Sequence, residues 1–331
     1  MDQIHATQPR NSLNNTFTNN QSAPYLPSYA APRGTVMLPG MKHMTQALLR
    51  FVLLTSVGLA CSVSDNANDP SISSFGQDDY EKAIAGVRIN SGLADTHYNR
   101  GLSYAEDGQY KRAIEAFNES IKLNPEDADA YFNRAYGYRE LGQHELAIQD
   151  FDEAIRLDPK DNISYYNRGI TYSELGRFER AIQDYDEAIR YNSEDPVAYY
   201  NKGLTYSRLG QHDSAIPAYD MAIERNTAST QAYRNRGLSY INLGQHKRAI
   251  EDFDECITRD PQDASAYFLR GHSYGELGQH ERAIEDFDNA IRLDPEDEFV
   301  YFSRSLAYIA LGDIKKAEQD LAKAKDLGYN P

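Results

Sequence analysis

Tyr131, Tyr165, Tyr199, Tyr233, Tyr267 and Tyr301 recur every 34 residues. Each opens a near-copy of one stretch such as AYFNRAYGYRELGQHELAIQDFDEAIRLDP, and His97 opens an earlier copy, so seven copies run from Ala94 to Pro331. They divide as 94–127, 128–161, 162–195, 196–229, 230–263, 264–297 and 298–331. A period of this length marks an array in which each unit buries its apolar faces only against its neighbours.

Four residues after the anchor stand Gly101, Ala135, Gly169, Gly203, Gly237, Gly271 and Ser305, and seven after it stand Tyr104, Tyr138, Tyr172, Tyr206, Tyr240, Tyr274 and Tyr308. Steps of four and seven are close to one and two helical turns, so these residues share a face of a first helix. At +11 every copy has a glycine, Gly108 to Gly312, whose tolerance of left-handed backbone predicts a helix stop. A second helix follows, with an inner face such as Ala147, Phe151, Ala154, and Pro125, Pro159, Pro261 and Pro295 close their copies.

The period, aromatic anchor, small residue, Tyr, Gly, Ala, Phe, Ala and Pro resemble the tetratricopeptide repeat across Ala94 to Pro331. The resemblance implies an all-α fold, a right-handed α-solenoid of seven tetratricopeptide helix hairpins, whose first helices line a concave groove that binds other proteins.

Two residues after the anchor Asn99, Asn133, Asn167, Asn201 and Asn235 recur. With the anchor and the +4 residue on the paired helix, the +1, +2 and +5 side chains are expected in the groove. A carboxamide both donates and accepts, so it can hold a peptide backbone without reading sequence. The ladder resembles the one lining the groove of the tetratricopeptide array in O-linked N-acetylglucosamine transferase, which grips extended polypeptide. Beside it stand Tyr98, Phe132, Tyr166, Tyr200, Phe268 and Phe302 at +1 and Leu102, Tyr136, Ile170, Leu204 and Leu238 at +5, as expected walls. The competing reading makes the asparagines bridges between neighbouring helices and the rings ordinary packing. Co-chaperones of this family clamp a terminal carboxylate with lysines and asparagines; here that surface carries Leu, Ile and Tyr beside Glu106, Glu140, Glu174 and Glu276, which disfavours such a ligand.

At +3 each copy has a base, Arg100, Arg134, Arg168, Lys202, Arg236, Arg270 and Arg304. Sixteen residues later come Asp150, Asp184, Asp252, Asp286 and Asp320, with Ala116 and Ala218 in the first and fourth copies, so a partly buried ion pair is expected in the five complete copies. Pro217 inside the fourth second helix predicts a kink or looser joint. Cys256 takes an alanine slot, and His144, His212, His246 and His280 share their slot with Tyr110 and Phe178, which marks them as fillers. Histidines one repeat apart are too distant to share a metal ion. No catalytic residue, metal set or cofactor motif is found.

The first ninety residues differ. Residues 1–40 are polar and read as a disordered leader. Residues 41–60 have the basic start, short apolar run and small residues of an export signal, too short to span a membrane, and GLAC at 58–61 resembles a bacterial lipobox that would lipidate Cys61. Gly58 departs from that pattern, so ordinary cleavage after Ala60 stays open, as does a core helix of the array. Met41 or Met44 is then the expected start, 61–75 a tether, and 76–93 a worn second helix capping the array, while the lysine-rich last helix caps the other end. Beyond residue 60 the chain holds 30 basic and 49 acidic groups, which disfavours nucleic acid. The expected partners are other proteins or extended peptides, with membrane contact only through a lipid on Cys61. The expected place is the cell envelope, the alternative a cytoplasmic adaptor.

Overall fold

The computed structural model describes residues 77–226 and 229–330. The leader at 1–40, the signal at 41–60, Cys61 and the tether at 61–75 lie outside the described residues. Among the described residues there are fourteen helices and no strand. They belong to two compact units, residues 77–158 and 159–330.

The first unit holds α1 (Gln77–Glu106), α2 (Tyr110–Leu123), α3 (Ala128–Glu140) and α4 (His144–Leu157). The second holds α5 (Asn162–Glu174), α6 (Phe178–Tyr191), α7 (Pro196–Arg208), α8 (His212–Arg225), α9 (Thr230–Asn242), α10 (His246–Arg259), α11 (Ala264–Glu276), α12 (His280–Leu293), α13 (Glu298–Ala310) and α14 (Ile314–Leu327). Odd and even helices pair into seven hairpins, and within each unit successive hairpins stack as an α-solenoid.

The turn glycines explain the hairpins. All seven have φ between +70° and +80°, the left-handed region where a side chain is strained, so each first helix ends where the sequence places its glycine. Capping side chains start six of the first helices: Asp127, Asp161, Asp195, Ser229, Asp263 and Asp297 accept from backbone N–H groups of the first turn.

Each hairpin closes by small-against-large packing. A Cβ on Gly169 would lie 2.9 Å from Tyr185 Cε1, so the first helix reaches this ring only because its +4 residue is small. Phe117, Phe151, Tyr219 and Phe253 are wholly buried in the corresponding places. Burial of such a side chain stabilises by roughly 1.5–3 kcal/mol, which fixes the pairing before any polar contact is counted.

One expectation changes, and a second is bounded. Residues 77–93 are not a separate second helix: α1 runs unbroken through Gly92, whose Cα has open space around it. One glycine without a proline or cap does not stop a helix whose later turns are held by packing. Pro217 does not break α8, which is 14 residues long like its counterparts α6 and α10. Its ring is exposed and the hydrogen bond it removes lies near the helix start, where distortion is cheapest.

Candidate functional site

The basic residues at +3 form a seam. Arg134 holds Asp150 through Nε and Nη2, both at 2.6 Å, and Arg168–Asp184, Arg236–Asp252, Arg270–Asp286 and Arg304–Asp320 repeat the fork. The third nitrogen reaches back one hairpin, Arg236 to Asp220 at 2.5 Å and Arg270 to Asp254 at 2.6 Å. Each guanidinium also lies over its anchor ring, 5.4 Å for Arg134 on Tyr131. The carboxylates are buried, burial raises the pKa of Asp252 and Asp286, and the arginine hydrogen bonds oppose that rise. The seam is structural, as the expected pairs are. A cavity of about 540 Å³ opens onto it at Arg236, Asp220 and Asp252, whose charges already pair with one another.

The expected groove walls at +1 are elsewhere. Tyr98, Tyr166 and Phe268 are buried, and their rings meet Phe117, Tyr185 and Phe287 of their own second helices at 5.9–6.0 Å. Phe132 and Tyr200 do likewise on Phe151 and Tyr219, and Phe302 stacks on Tyr329 at 4.3 Å. Residues +1 and +4 are three apart and share the face turned to the second helix, so the expected boundary between faces was one position off.

The asparagine donors are engaged. Asn201 Nδ2 donates to Tyr166 Oη of the preceding hairpin at 2.8 Å and to the Val197 carbonyl at 3.2 Å, and the residue is 3% exposed. Asn235 bonds Tyr200 Oη and the Gln231 carbonyl, both at 3.0 Å, and Asn133 bonds Tyr98 Oη at 3.1 Å and the Asp129 carbonyl at 2.8 Å. Asn167 donates to the Ile163 carbonyl and is buried, whereas Asn99 is exposed. At Asn133, Asn201 and Asn235 the ladder therefore bridges adjacent hairpins.

The groove side of the second unit carries a cavity of about 260 Å³ between α5 and α7. Its aliphatic walls are Ile170 and Leu204, its rim bears Glu174 and Arg208, and Ser173, Thr205, Asn201 and Tyr185 add polar groups. Arg208 Nη1 donates to Ser173 Oγ at 3.3 Å, and Thr205 Oγ1 donates to the Asn201 carbonyl at 2.8 Å. Of the +5 residues, Ile170 and Leu204 line this cavity, and Ile170 is also part of the buried core. Tyr185 and Arg208 were missed, though Tyr in a slot held elsewhere by Phe and Arg in one held by Glu are visible signals.

The histidine slot is packing. His246 meets His272 of the next hairpin edge-on at 6.4 Å, as Tyr110 meets Tyr136 at 6.2 Å. Cys256 is buried, with its thiol pushed up to about 12 by burial. No group of three or more metal-ligating side chains occurs among the described residues. No helix among them is long and apolar enough to cross a membrane.

Profiles described as tetratricopeptide repeat match residues 98–162, 151–183, 196–226, 230–263, 264–297 and 300–327, and one described as TPR repeat matches 171–210. The chain is similar to YrrB, described as a TPR protein with an unusual peptide-binding site, at 29% identity and TM-score 0.52 over 61% of this chain and 99% of that one. A tetratricopeptide repeat protein from Parabacteroides merdae has the same fold at 24% identity and TM-score 0.53, over 72% and 94% of the two chains. So does pilF of Pseudomonas aeruginosa, at 18% identity and TM-score 0.52 over 68% and 98%. No curated protein matches significantly.

Proposed function

Because this chain belongs to the tetratricopeptide repeat family, we propose that it is a non-enzymatic scaffold that takes an extended segment of another protein into the groove lined by its first helices. The observation that carries this reading is the cavity between α5 and α7, in which aliphatic walls and polar groups converge from two successive first helices. Apolar walls with a few placed hydrogen-bonding groups are the chemistry of a binding site rather than of packing. The peptide-binding description of YrrB, at 29% identity, supports the same assignment. A ligand there meets Leu204 and the polar rim of the cavity, with the asparagines setting the spacing of the hairpins through their tyrosine bonds.

The scaffold works, in this proposal, as an exported envelope lipoprotein anchored through Cys61, on the strength of the basic, apolar and small-residue run at 41–61. Intact mass tests the placement: cleavage before Cys61 with a lipid increment is expected, and an unprocessed chain favours the cytoplasmic adaptor. A photoreactive side chain tests the groove. Placed at Leu204 it should capture polypeptide, and placed at Asp254 on the seam it should not; equal capture at both would remove the groove from the proposal.

A further inference from the structure

Seven large apolar side chains are exposed among the described residues, and four of them, Leu306, Ile309, Leu311 and Ile314, stand within nine residues of one another at 43–53% exposure. They form a corner. Leu306 and Ile309 are one turn apart on α13, and the tight turn after it, closed by the Gly312 and Asp313 N–H groups on the Ile309 and Tyr308 carbonyls, brings Ile314 at the start of α14 up to them. Leu306 and Ile309 hold the +5 and +8 slots through which Ile170, Leu204 and Ser173 line the cavity between α5 and α7. The corner therefore continues the groove face onto the seventh hairpin.

The rest of this hairpin's outer end is closed. Six hairpins have isoleucine at +17 and +24, and these side chains receive the next hairpin: a Cβ on Gly137 would lie 3.1 Å from Ile114 Cγ1, and Ile223 shares a buried cluster with Ala232. The seventh has Glu318 and Lys325 instead. Its +21 residue is Ala322, where the sixth has the Asp288 that holds Arg304, and Tyr329 stacks over Phe302 at 4.3 Å. A second copy stacked end-on would bury two charges and find no acid for its first base, which disfavours it. Two such corners face to face are too small, because four half-exposed side chains offer on the order of a few hundred Å², against about 800 Å² per partner in a stable interface. A large apolar side chain of a segment already lying in the groove needs no more than this corner, and leaving water there stabilises it.

On the premise of the groove function above, we propose that Leu306, Ile309 and Ile314 form an anchor site for a large aliphatic or aromatic side chain of the bound polypeptide. The +8 and +9 slots are Ser207 and Arg208 in the fourth hairpin, Gly275 and Glu276 in the sixth, and Ile309 and Ala310 in the seventh, so the anchor also sets the register in which the segment lies.

The test is selection of a random dodecapeptide display library on the full chain, followed by titration of a synthesised winner. The expected winners share one aliphatic or aromatic position, and photoleucine placed there should attach to residues 306–314. Ile309→Ser with Ile314→His, which install the residues found at these slots as Ser207 and His280, should weaken the winner about tenfold, the loss of roughly half a buried side chain at each position, and leave a winner with serine at the anchor position unchanged. Winners without a shared apolar position, attachment of the photoleucine to α5 or α7, or equal effects of the double variant on both peptides would overturn the anchor while leaving the groove function standing. A dimer in sedimentation that the double variant converts to monomer would also overturn it, by giving the corner to a second copy. A library that yields no binder would overturn both the anchor and the groove.

Discussion

The sixth hairpin, α11–α12, and the fourth, α7–α8, are the same fold with different fastening. In the sixth, Arg270 is forked onto Asp286 at 2.6 and 2.8 Å and reaches Asp254 at 2.6 Å. In the fourth, Lys202 pairs with Asp186 at 2.5 Å and lies 5.8 Å from the Tyr206 ring, Ala218 replaces the acid, and Pro217 interrupts the hydrogen-bond ladder of α8. Yet both have a 13-residue first helix and a 14-residue second one, and both close with ring centroids 6.0 Å apart. Ring-on-glycine packing therefore defines the hairpin, and the ion-pair seam sets how firmly it stays closed.

The largest expected effect breaks the sixth hairpin's advantage. Asp286→Ala leaves Arg270 with Asp254 alone and should destabilise α12 by about 3 kcal/mol, the lower end for breaking a buried pair. Hydrogen exchange of residues 280–293 reads this locally, which suits an array whose units open separately. An unchanged exchange rate there would mean the seam carries no stability.

The next change strengthens the fourth hairpin. An interior proline is about 3 kcal/mol less favourable than alanine, and the bond Pro217 removes lies near the start of α8 where that cost is smaller, so Pro217→Ala should protect residues 213–225 by about 1–2 kcal/mol. Before the change, those residues should exchange faster than 281–293. Equal rates in the unaltered chain would show that the proline is fully accommodated. Lys202→Arg with Ala218→Asp, which rebuilds the missing fork, should add about 1 kcal/mol, because the bonds gained are offset by desolvation. Urea titration of the double variant against each single one separates the pair from its parts.

Much of this contrast was readable before any coordinates. The turn glycines, the small +4 residues, the five Arg–Asp pairs and the two copies lacking the acid all follow from local spacing, because helical periodicity puts them on defined faces. The boundary between faces was harder: +1 lies next to +2 in sequence but belongs to the hairpin interior, and only the position of the Phe151 or Tyr185 ring decides that. The use of the asparagine donors was not readable at all. The Asn201–Tyr166 bond joins residues 35 apart, and whether an amide meets the previous hairpin or a ligand depends on how closely hairpins stack. The continuity of α1 was hidden for a related reason, since Gly92 carries a stop signal with no cap or proline to enforce it.

The smallest expected effect concerns one groove slot at which the two hairpins differ: Leu204 in the fourth, His272 in the sixth. Burial holds the His272 imidazole below its ordinary value of 6.5; Glu276 opposes this and His246 adds to it. The folded chain then binds fewer protons than the unfolded one as pH falls below 6.5, so the stability of this hairpin is full above that value, declines as pH drops towards the folded pKa, and levels off beneath it. His272→Leu, which installs the residue of the fourth hairpin, should flatten that decline in the exchange of α11. The fourth hairpin has its own imidazole, His212, also held down by burial, so it serves as the internal reference that keeps its pH dependence when His272 is replaced. If α11 weakens equally in acid with leucine in place, the decline belongs to a group other than His272, such as the Asp263 cap of α11, whose carboxyl is held below its ordinary value by hydrogen bonds from Ser265 and Arg234 that outweigh burial, and the two hairpins differ in fastening alone.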